Sequence, residues 1–272
     1  MLPLDQLLNG VVIAVDKPRQ WSSFQVVNKV KSIIRNKYGL KKFKIGHAGT
    51  LDPLATGLLL ICIGKATKQI ELLQQGEKIY SGTMVFGATT PCFDLERPID
   101  NYYTFDQVSQ EAVEYEAARM TGEIEQLPPN FSAIKVDGVR AYEIARNSNT
   151  EIAITPKKVM IHKFQITDFR EGESGFIPPT DVTIDDIPKT NLYQSPLGVV
   201  PKGLPQADFL ICCGKGTYIR SIARDMGKNL GSGAFLSSLR RLKIGDYTIE
   251  KAYSMENLNS FFDQSENPKN AE

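Results

Sequence analysis

A chain of 272 residues is long enough for one large domain or two modest ones. Its hydrophobic share of 42% and charged share of 23% match ordinary folded proteins, which excludes the disordered and fibrous classes. No apolar run reaches the roughly 20 residues of a membrane-spanning helix, and Asp5 stands where a secretory signal would carry positive charge. We therefore expect a cytoplasmic protein without membrane contact.

The cysteines and histidines argue against disulfide and zinc chemistry. The four cysteines form no CxxC pair, so we expect free thiols. His47 and His162 are the only imidazoles, which disfavours a histidine-ligated zinc site. We expect no structural metal.

The first part of the chain predicts two buried strands and a capped helix. Val11–Val15 (VVIAV) is a short β-branched run that a proline ends soon afterwards, as is typical of a buried strand. Ser22 and Gln25 form a capping-box pattern before a helix that is expected to end near Tyr38-Gly39. LLLICIG, Leu58–Gly64, predicts a second buried strand.

The middle of the chain predicts an antiparallel strand and a second helix. Ile79–Gly87 alternates in the manner of a half-exposed antiparallel strand. Thr104 and Gln107 form the capping pattern that starts the second helix, and Gly122 lies just past its end. One face of that helix is expected to comprise Val108, Ala112 and Tyr115.

The later elements complete an α+β pattern. Val159–Phe169 and residues 207–214 (ADFLICCG) predict strands, and a helix follows that stops at Gly231. Its inward residues are expected to be Ile219, Ile222, Ala223, Met226 and Leu230. Strands and helices mix without a regular βαβ rhythm, which favours an α+β fold over a doubly wound one.

Positive charge is concentrated near the N-terminus. Between Lys17 and Leu51 there is no acid, and there are nine cations: Lys17, Arg19, Lys29, Lys31, Arg35, Lys37, Lys41, Lys42 and Lys44. A single charge run is most often a solvated surface. This one leads directly into the sequence GHAGTLDP, which favours an electrostatic guide for a polyanion.

The stretch KIGHAGTLDPLATG, Lys44–Gly57, contains the best candidate for chemistry. The chain lacks the P-loop, GxGxxG, GxSxG and HExxH patterns, which leaves a carboxylate mechanism without a cofactor. Asp52 precedes a proline, which biases it to extended geometry, and nearby glycines permit close turns. An isolated Asp-Pro pair more often simply starts a turn.

Two further residues could support such a carboxylate. An acid kept ionised in a dry pocket needs a nearby cation. Arg220 fits because it falls in the first turn of the last predicted helix, although an ordinary surface arginine would give the same pattern. Tyr80 alternates along its strand, where a core role is commoner than a catalytic one.

Five segments together resemble a known family. In chain order they are VDKPRQWSSFQVVNKVK, GHAGTLDPLATGLLLICIGKATK, EKIYSGTMVFGATTPCFD, LPPNFSAIKVDGVRAYEIAR and CCGKGTYIRSIARDMGKNLGSGAFLSSLRRLKIGDY. They resemble the TruB family of tRNA pseudouridine synthases over most of residues 11–253. The resemblance implies the pseudouridine synthase fold, a mixed, mainly antiparallel central sheet flanked by helices and loops.

The resemblance also implies roles for individual residues. Asp52 would be the nucleophile, and Tyr80 would pack on the target base and help to remove its C5 proton. Arg220 would pair with Asp52, and His47 would occupy the space that the extruded nucleotide leaves. The other implied substrate contacts are Tyr218 and Leu239 in the base pocket, Asp94, and Lys17.

Two of these assignments rest on weaker matches. The residues around Asp94, TTPCFD, differ from the family's usual polar spacing. Lys17 matches the lysine of the family's DKP segment, where packing near the active site is as good an interpretation as direct RNA contact.

The resemblance implies a single catalytic domain over residues 1–253. Within it, residues 127–157 would form an RNA-binding thumb and residues 176–206 an inserted loop outside the common pattern. Residues 254–272 are expected to be a polar tail, without the C-terminal PUA domain that many members have. The implied partner is the TΨC stem-loop of tRNA, with uridine 55 as substrate and with no cofactor. We expect a monomer with no obligate protein partner.

Two other interpretations stay open at this point. The chain could be an RNA chaperone or binding module that kept the fold and lost catalysis, or a synthase that a guide RNA or the ribosome directs. Asp52, Tyr80 and Arg220 together argue against the first, since binding alone would not require all three. The expected lack of a PUA domain and a basic tail argues against the second.

Overall fold

The computed structural model describes residues 1–129, 154–178 and 200–264, and the backbone of 135–136 and 139–140. It contains two compact units, one made of Met1–Tyr80 with Arg240–Glu272 and the other of Ser81–Leu239. Most of the expected thumb and inserted loop lies outside the described residues. Within the residues that are described, no helix is both long and apolar enough to cross a membrane.

The helices and strands are numbered in chain order. The helices are α1 (Leu4–Asn9), α2 (Ser23–Tyr38), α3 (Ile70–Gln75), α4 (Gln110–Arg119), α5 (Ile219–Asn229) and α6 (Leu258–Asp263). The strands are β1 (Val11–Lys17), β2 (Ile45–His47), β3 (Thr56–Ile63), β4 (Lys78–Phe86), β5 (Ala88–Thr89), β6 (Asn101–Tyr102), β7 (Gly122–Gln126), β8 (Lys135–Val136), β9 (Val139–Arg140), β10 (Lys157–Arg170), β11 (Gln206–Cys213), β12 (Ala234–Ile244) and β13 (Tyr247–Thr248). The boundary between the two units falls inside β4 and inside β12.

Strand β3 organises the first unit. On one edge it pairs antiparallel with β1 from Gly57 to Ile63. On its other edge, its first two residues pair parallel with Arg240 and Arg241 of β12, and its last three pair antiparallel with β2. Residues 48–55, which connect β2 to β3, therefore begin and end at this second edge.

Helix α2 forms as the sequence predicts, and it packs on β1 and β3 of the first unit. The capping box is present: the Ser22 side chain accepts from the Gln25 backbone, and the Gln25 side chain accepts from the Ser22 backbone. The helix ends at Gly39, which has a left-handed φ of 66°. The core beneath it joins side chains of α2, β1 and β3, including Val26, Val30, Ile34, Ile13 and Ile61.

Helix α6 differs from the polar tail expected for residues 254–272. Within the described part of that segment, Leu258, Phe261 and Phe262 are buried in the same core as α2 and β1. These residues stand at helical spacing, so all three reach one face of a short helix. Their burial outweighs the polar character of the surrounding sequence.

The second unit is built on antiparallel strands with α4 and α5 beside them. Its sheet has the order β12, β4, β11, β10 and β7, and β10 pairs antiparallel with both β11 and β7. In the first unit most strand pairs are also antiparallel, and β12 pairs parallel with β3. The expected α+β class with a mixed, mainly antiparallel sheet is therefore confirmed.

The predicted start of the second helix is wrong. Helix α4 follows Ser109, whose hydroxyl accepts from the Ala112 amide at 3.2 Å, and not Thr104. Residues 105–108 form a separate turn closed by the amide of Val108, so the helix begins later and presents a different face. Tyr115 is consequently exposed, because the inward face contains Val113, Glu116 and Ala117.

Helix α5 agrees with the prediction. It contains Arg220 in its first turn, and four of the five predicted inward residues, Ile219, Ile222, Ala223 and Met226, are buried. The fifth, Leu230, is half-buried because it is the C-cap, where the helix ends. The four cysteines, all of which lie within the described residues, are thiols as expected.

Replacing one buried ring of α6 tests whether this helix belongs to the core. Phe262→Ala is expected to lower the free energy of unfolding by about 3–5 kcal/mol, because it leaves a cavity in a packed interior. The control is Phe24→Ala on α2, whose side chain is 67% exposed; it should change stability by less than about 0.5 kcal/mol. Guanidinium denaturation compares the two variants, and equal stabilities would contradict the assignment.

Candidate active site

Asp52 lies in the connection between β2 and β3, residues 48–55, which we call the Asp52 loop. The side chain of Asp52 is half-buried, and its backbone carbonyl accepts from the Ala55 amide at 3.1 Å. At the start of the loop, the Ala48 amide donates to the Leu60 carbonyl of β3 at 2.9 Å. The remaining polar groups of the loop backbone need other partners, because unpaired buried amides and carbonyls are costly.

Lys17 supplies one of these partners. Its side chain is 0% exposed, and its ammonium donates to the carbonyls of Pro18 at 3.0 Å, Trp21 at 2.6 Å and Pro53 at 3.2 Å. A buried ammonium is tolerated when acceptors surround it in this way. Because Pro53 directly follows Asp52, Lys17 fixes the loop next to the carboxylate.

Ser23 fixes the residue on the other side of Asp52. It is the buried first residue of α2, and its hydroxyl accepts from the Leu51 amide at 2.9 Å and donates to the Leu51 carbonyl at 3.1 Å. One hydroxyl therefore satisfies both backbone groups of Leu51. Ser23 is not among the residues predicted from the sequence, although it directly follows the capping serine.

Arg241 makes a third set of contacts to the loop. Its side chain is 2% exposed, and it donates from Nε to the Leu58 carbonyl at 2.8 Å and from Nη2 to the Gly49 carbonyl at 3.0 Å. Its Nη1 lies 3.5 Å from the hydroxyl of Tyr80. Arg241 is also absent from the predicted site residues; the signal for it was a pair of arginines inside an otherwise strand-like run, LSSLRRLKI.

The first unit therefore brings several predicted site residues into one neighbourhood. Lys17 contacts the Asp52 loop directly, and Arg241 connects that loop to Tyr80, which is buried in β4. His47 is the last residue of β2, opposite Ile61 of β3, immediately before the loop. Its stacking role stays a prediction.

In the second unit, Arg220 is held by a carbonyl and a carboxylate. It is 4% exposed, its Nη1 donates to the Cys92 carbonyl at 3.0 Å, and its Nε lies 3.7 Å from a carboxylate oxygen of Asp94. The positive end of the α5 dipole opposes a cation in the first turn of the helix. The carboxylate of Asp94 offsets that repulsion and the cost of burial.

Asp94 is itself buried and oriented by backbone contacts. Its carboxylate accepts from the Glu96 amide at 2.9 Å, and its own carbonyl accepts from the Thr90 hydroxyl at 2.7 Å. Burial, followed by the nearby charge of Asp94, raises the pKa of the Cys92 thiol well above its usual range. Cys92 thus stays protonated, and the charges at this point are those of Arg220 and Asp94.

Tyr218 and Leu239 also belong to the second unit. Tyr218 is the N-cap of α5; its amide donates to the buried side chain of Gln126 at 2.8 Å, and its carbonyl accepts from that side chain at 3.2 Å. Leu239 is a half-buried residue of β12. Substrate contacts by these two residues, by Asp94 and by Lys17, and the pairing of Arg220 with Asp52, stay predictions.

The part of the chain that the structure describes shows no group of three or more His, Cys, Asp or Glu side chains placed to hold a metal ion. The described residues include a half-buried carboxylate, Asp52, on a loop of the first unit, and a carboxylate can act as a nucleophile. In the second unit they include the buried guanidinium of Arg220 at the start of α5.

Comparisons with known proteins identify the family of the chain. The family model described as TruB family pseudouridylate synthase (N terminal domain) matches residues 35–177, and the tRNA pseudouridylate synthase B C-terminal domain matches residues 220–270. The tRNA pseudouridine synthase B of Flavobacterium johnsoniae is 47% identical, covering 91% of this chain and 94% of the relative. That of Phocaeicola vulgatus is 42% identical, covering 94% and 95%.

Solved structures show a similar fold. A chain in the crystal structure of a Cbf5-Nop10-Gar1 complex has a TM-score of 0.62 and 23% identity over 96% of this chain. A chain in the structure of an H/ACA RNP bound to a substrate RNA containing 2'-deoxyuridine has a TM-score of 0.58 and 20% identity over 96%. This chain spans 56% of the length of each, and at these identities the likeness concerns the fold alone.

Ser23→Ala tests how strongly one hydroxyl fixes the Asp52 loop. The variant leaves the amide and carbonyl of Leu51 without their partner, which is expected to cost about 1–3 kcal/mol of stability and to speed amide exchange at Leu51. The matched control is Ser32→Ala on the exposed face of α2. Urea denaturation and hydrogen exchange compare the variants; unchanged exchange at Leu51 would refute the role given to Ser23.

Proposed function

Because the chain belongs to the TruB family of pseudouridylate synthases, we propose that it converts uridine to pseudouridine in tRNA, at position 55 of the TΨC loop. The observation that carries this proposal is 47% identity to a tRNA pseudouridine synthase B across 91% of the chain. The braced carboxylate of Asp52 supports it chemically. A monomer acting without a protein partner, in the cytoplasm, stays a prediction.

The reaction is an isomerisation, so it requires no redox step. The N1–C1′ bond of uridine breaks, the base turns and a C5–C1′ bond forms; one proton leaves C5 and one is taken up at N1, so the product is an isomer of the substrate. Asp52 either attacks the sugar at C1′ or assists formation of a glycal intermediate. In both routes its carboxylate must be ionised and correctly aimed, which a loop braced by Lys17, Ser23 and Arg241 favours.

The target base must first leave its stack. Extruding a nucleotide costs a few kcal/mol of stacking and pairing energy. His47, placed just before the Asp52 loop, would offset part of this cost by occupying the vacated space. Tyr80 would pack on the extruded base, with Tyr218 and Leu239 beside it, and would help to remove the C5 proton.

Arg220 is proposed to keep Asp52 ionised. An arginine near a carboxylate favours its charged form. For this role the guanidinium must be fixed, and the Cys92 carbonyl together with the carboxylate of Asp94 provides two contacts that do so. Asp94 would therefore act through the orientation of Arg220.

Affinity for RNA would come mainly from phosphate contacts. Six cations of the basic segment are exposed: Arg19, Lys29, Arg35, Lys41, Lys42 and Lys44. Phosphate contacts fix the register of the RNA without reading its bases. Recognition would then depend on the shape and the loop bases of the tRNA.

Asp52→Asn is the principal test of the proposed function. The amide cannot act as a nucleophile, so pseudouridine formation should be lost while tRNA binding is retained. Carbodiimide mapping of unmodified tRNA after incubation detects the product, and filter binding measures affinity. Asp263→Asn, at an exposed carboxylate on α6, is the control. Turnover by Asp52→Asn would exclude the nucleophile role, and no product from the unaltered protein would exclude the activity.

The basic segment is tested by the salt dependence of binding. The double change Lys41→Gln with Lys42→Gln is expected to lower the slope of log K against log salt by about 0.7–0.9 for each phosphate that these lysines neutralise in the complex. Lys163→Gln with Lys228→Gln, two exposed lysines of the second unit, is the control pair. Equal effects of the two pairs would mean that net charge alone sets the affinity.

A further inference from the structure

The second edge of β3 contains a gap between two partner strands, where the Asp52 loop leaves the sheet. Strand β12 pairs with β3 as far as Gly57, and β2 pairs with it from Ile61 onward. Between them, the Leu60 carbonyl accepts from the Ala48 amide, and the Leu58 carbonyl accepts from Nε of Arg241. A side chain thus provides the hydrogen bond that a neighbouring strand would otherwise provide.

The backbone of Arg241 lies directly against β3 beside this gap. It pairs with Gly57, which has a φ of 100°, and a Cβ at Gly57 would lie 2.3 Å from the Arg241 carbonyl oxygen. The preceding residue, Arg240, points to the opposite face of the strand. There it forms two contacts with the carboxylate of Asp16, at 3.0 and 2.7 Å.

The guanidinium of Arg241 contacts three separate segments at once. Nη2 contacts Gly49 near the start of the Asp52 loop, and Nε contacts Leu58 of β3, three residues past the end of the loop. Nη1 points to the hydroxyl of Tyr80 on β4. The planar fork of an arginine presents donors in fixed directions, which a lysine cannot do.

We infer that Arg241 is a positioning residue that holds the hydroxyl of Tyr80 in a fixed relation to the Asp52 loop. The inference rests on the proposed function, in which both residues act on one uridine. Groups that react together must be placed closely, and a displacement of about 1 Å can reduce a rate by about 100-fold. Arg241 need not touch the RNA to have this effect.

The first experiment measures single-turnover pseudouridine formation in Arg241→Lys with saturating enzyme. The charge is kept and the fork is removed, so the rate should fall about 10- to 100-fold, while the Kd for tRNA should change less than about twofold, since Arg241 is buried. The matched control is Arg240→Lys in the neighbouring, partly exposed ion pair, where the rate should change less than about threefold. An Arg241→Lys rate within about twofold of the unaltered protein would overturn the inference.

The second experiment asks whether Arg241 acts through Tyr80. In a Tyr80→Phe background the hydroxyl is absent, so the rate effect of Arg241→Lys should shrink by at least about threefold relative to its effect in the unaltered protein. Effects that multiply independently would mean that Arg241 does not act through the hydroxyl of Tyr80, and would overturn the inference.

Two further measurements separate the ways in which the inference could fail. Thermal unfolding checks that the Arg241→Lys variant is folded. If that variant is unfolded, Arg241→Gln, which also lacks the guanidinium fork, is used in its place. If Asp52→Asn is inactive and Arg241→Lys is normal, only the positioning role is excluded. If Asp52→Asn keeps its activity, the proposed function itself fails.

Discussion

An irregular loop beside a packed core must have its backbone polar groups satisfied, and this requirement shapes the candidate active site. The Asp52 loop leaves the sheet at the part of β3 that lies between its pairing with β12 and its pairing with β2. Three buried side chains, those of Lys17, Ser23 and Arg241, provide partners for its backbone. Each unsatisfied buried group would cost about 1–3 kcal/mol. The shape of the loop is therefore coupled to the stability of the first unit, and the position of Asp52 depends on the buried side chains that hold the loop backbone.

The same requirement explains the surroundings of Arg220 in the second unit. A buried cation at a helix start is unfavourable on two counts, desolvation and the helix dipole. The carboxylate of Asp94 and the carbonyl of Cys92 offset both. Asp94, for which the resemblance implies an RNA contact, is oriented toward Arg220 by its own backbone contacts. Each unit thus fixes one charged group of the proposed chemistry by its own internal contacts.

The elements that can be predicted from the sequence are those with local signals. The capping box of α2, the apolar run of β3 and the periodicity of α5 depend on neighbouring residues, and all three are present. The start of α4 cannot be predicted in this way because Ser109 and Thr104 both fit a cap, and packing against the rest of the unit decides between them. Helix α6 could not be predicted from its own sequence. Its few apolar residues pack against a core formed by α2, β1 and β3, which are far away in the sequence.

The candidate site shows the same division. The sequence motifs single out Asp52, Tyr80 and Arg220 as candidate site residues. They do not show which other side chains fix the positions of these residues. Arg241 cannot be assigned this way because a charged residue in a strand is ordinarily taken as exposed. Its burial depends on carbonyls of Gly49 and Leu58, far away in the sequence.

The contact between Gly57 and Arg241 limits how this loop could be moved to another protein. A Cβ at residue 57 would collide with the backbone of Arg241, so the parallel strand can approach only where the last residue of the motif has no side chain. If KIGHAGTLDPLATG were grafted onto a different sheet, the new protein would contain the carboxylate of Asp52. It would lack strand β12, whose backbone packs against the final glycine of the motif. The transferable unit is the motif together with β12 and its buried arginine.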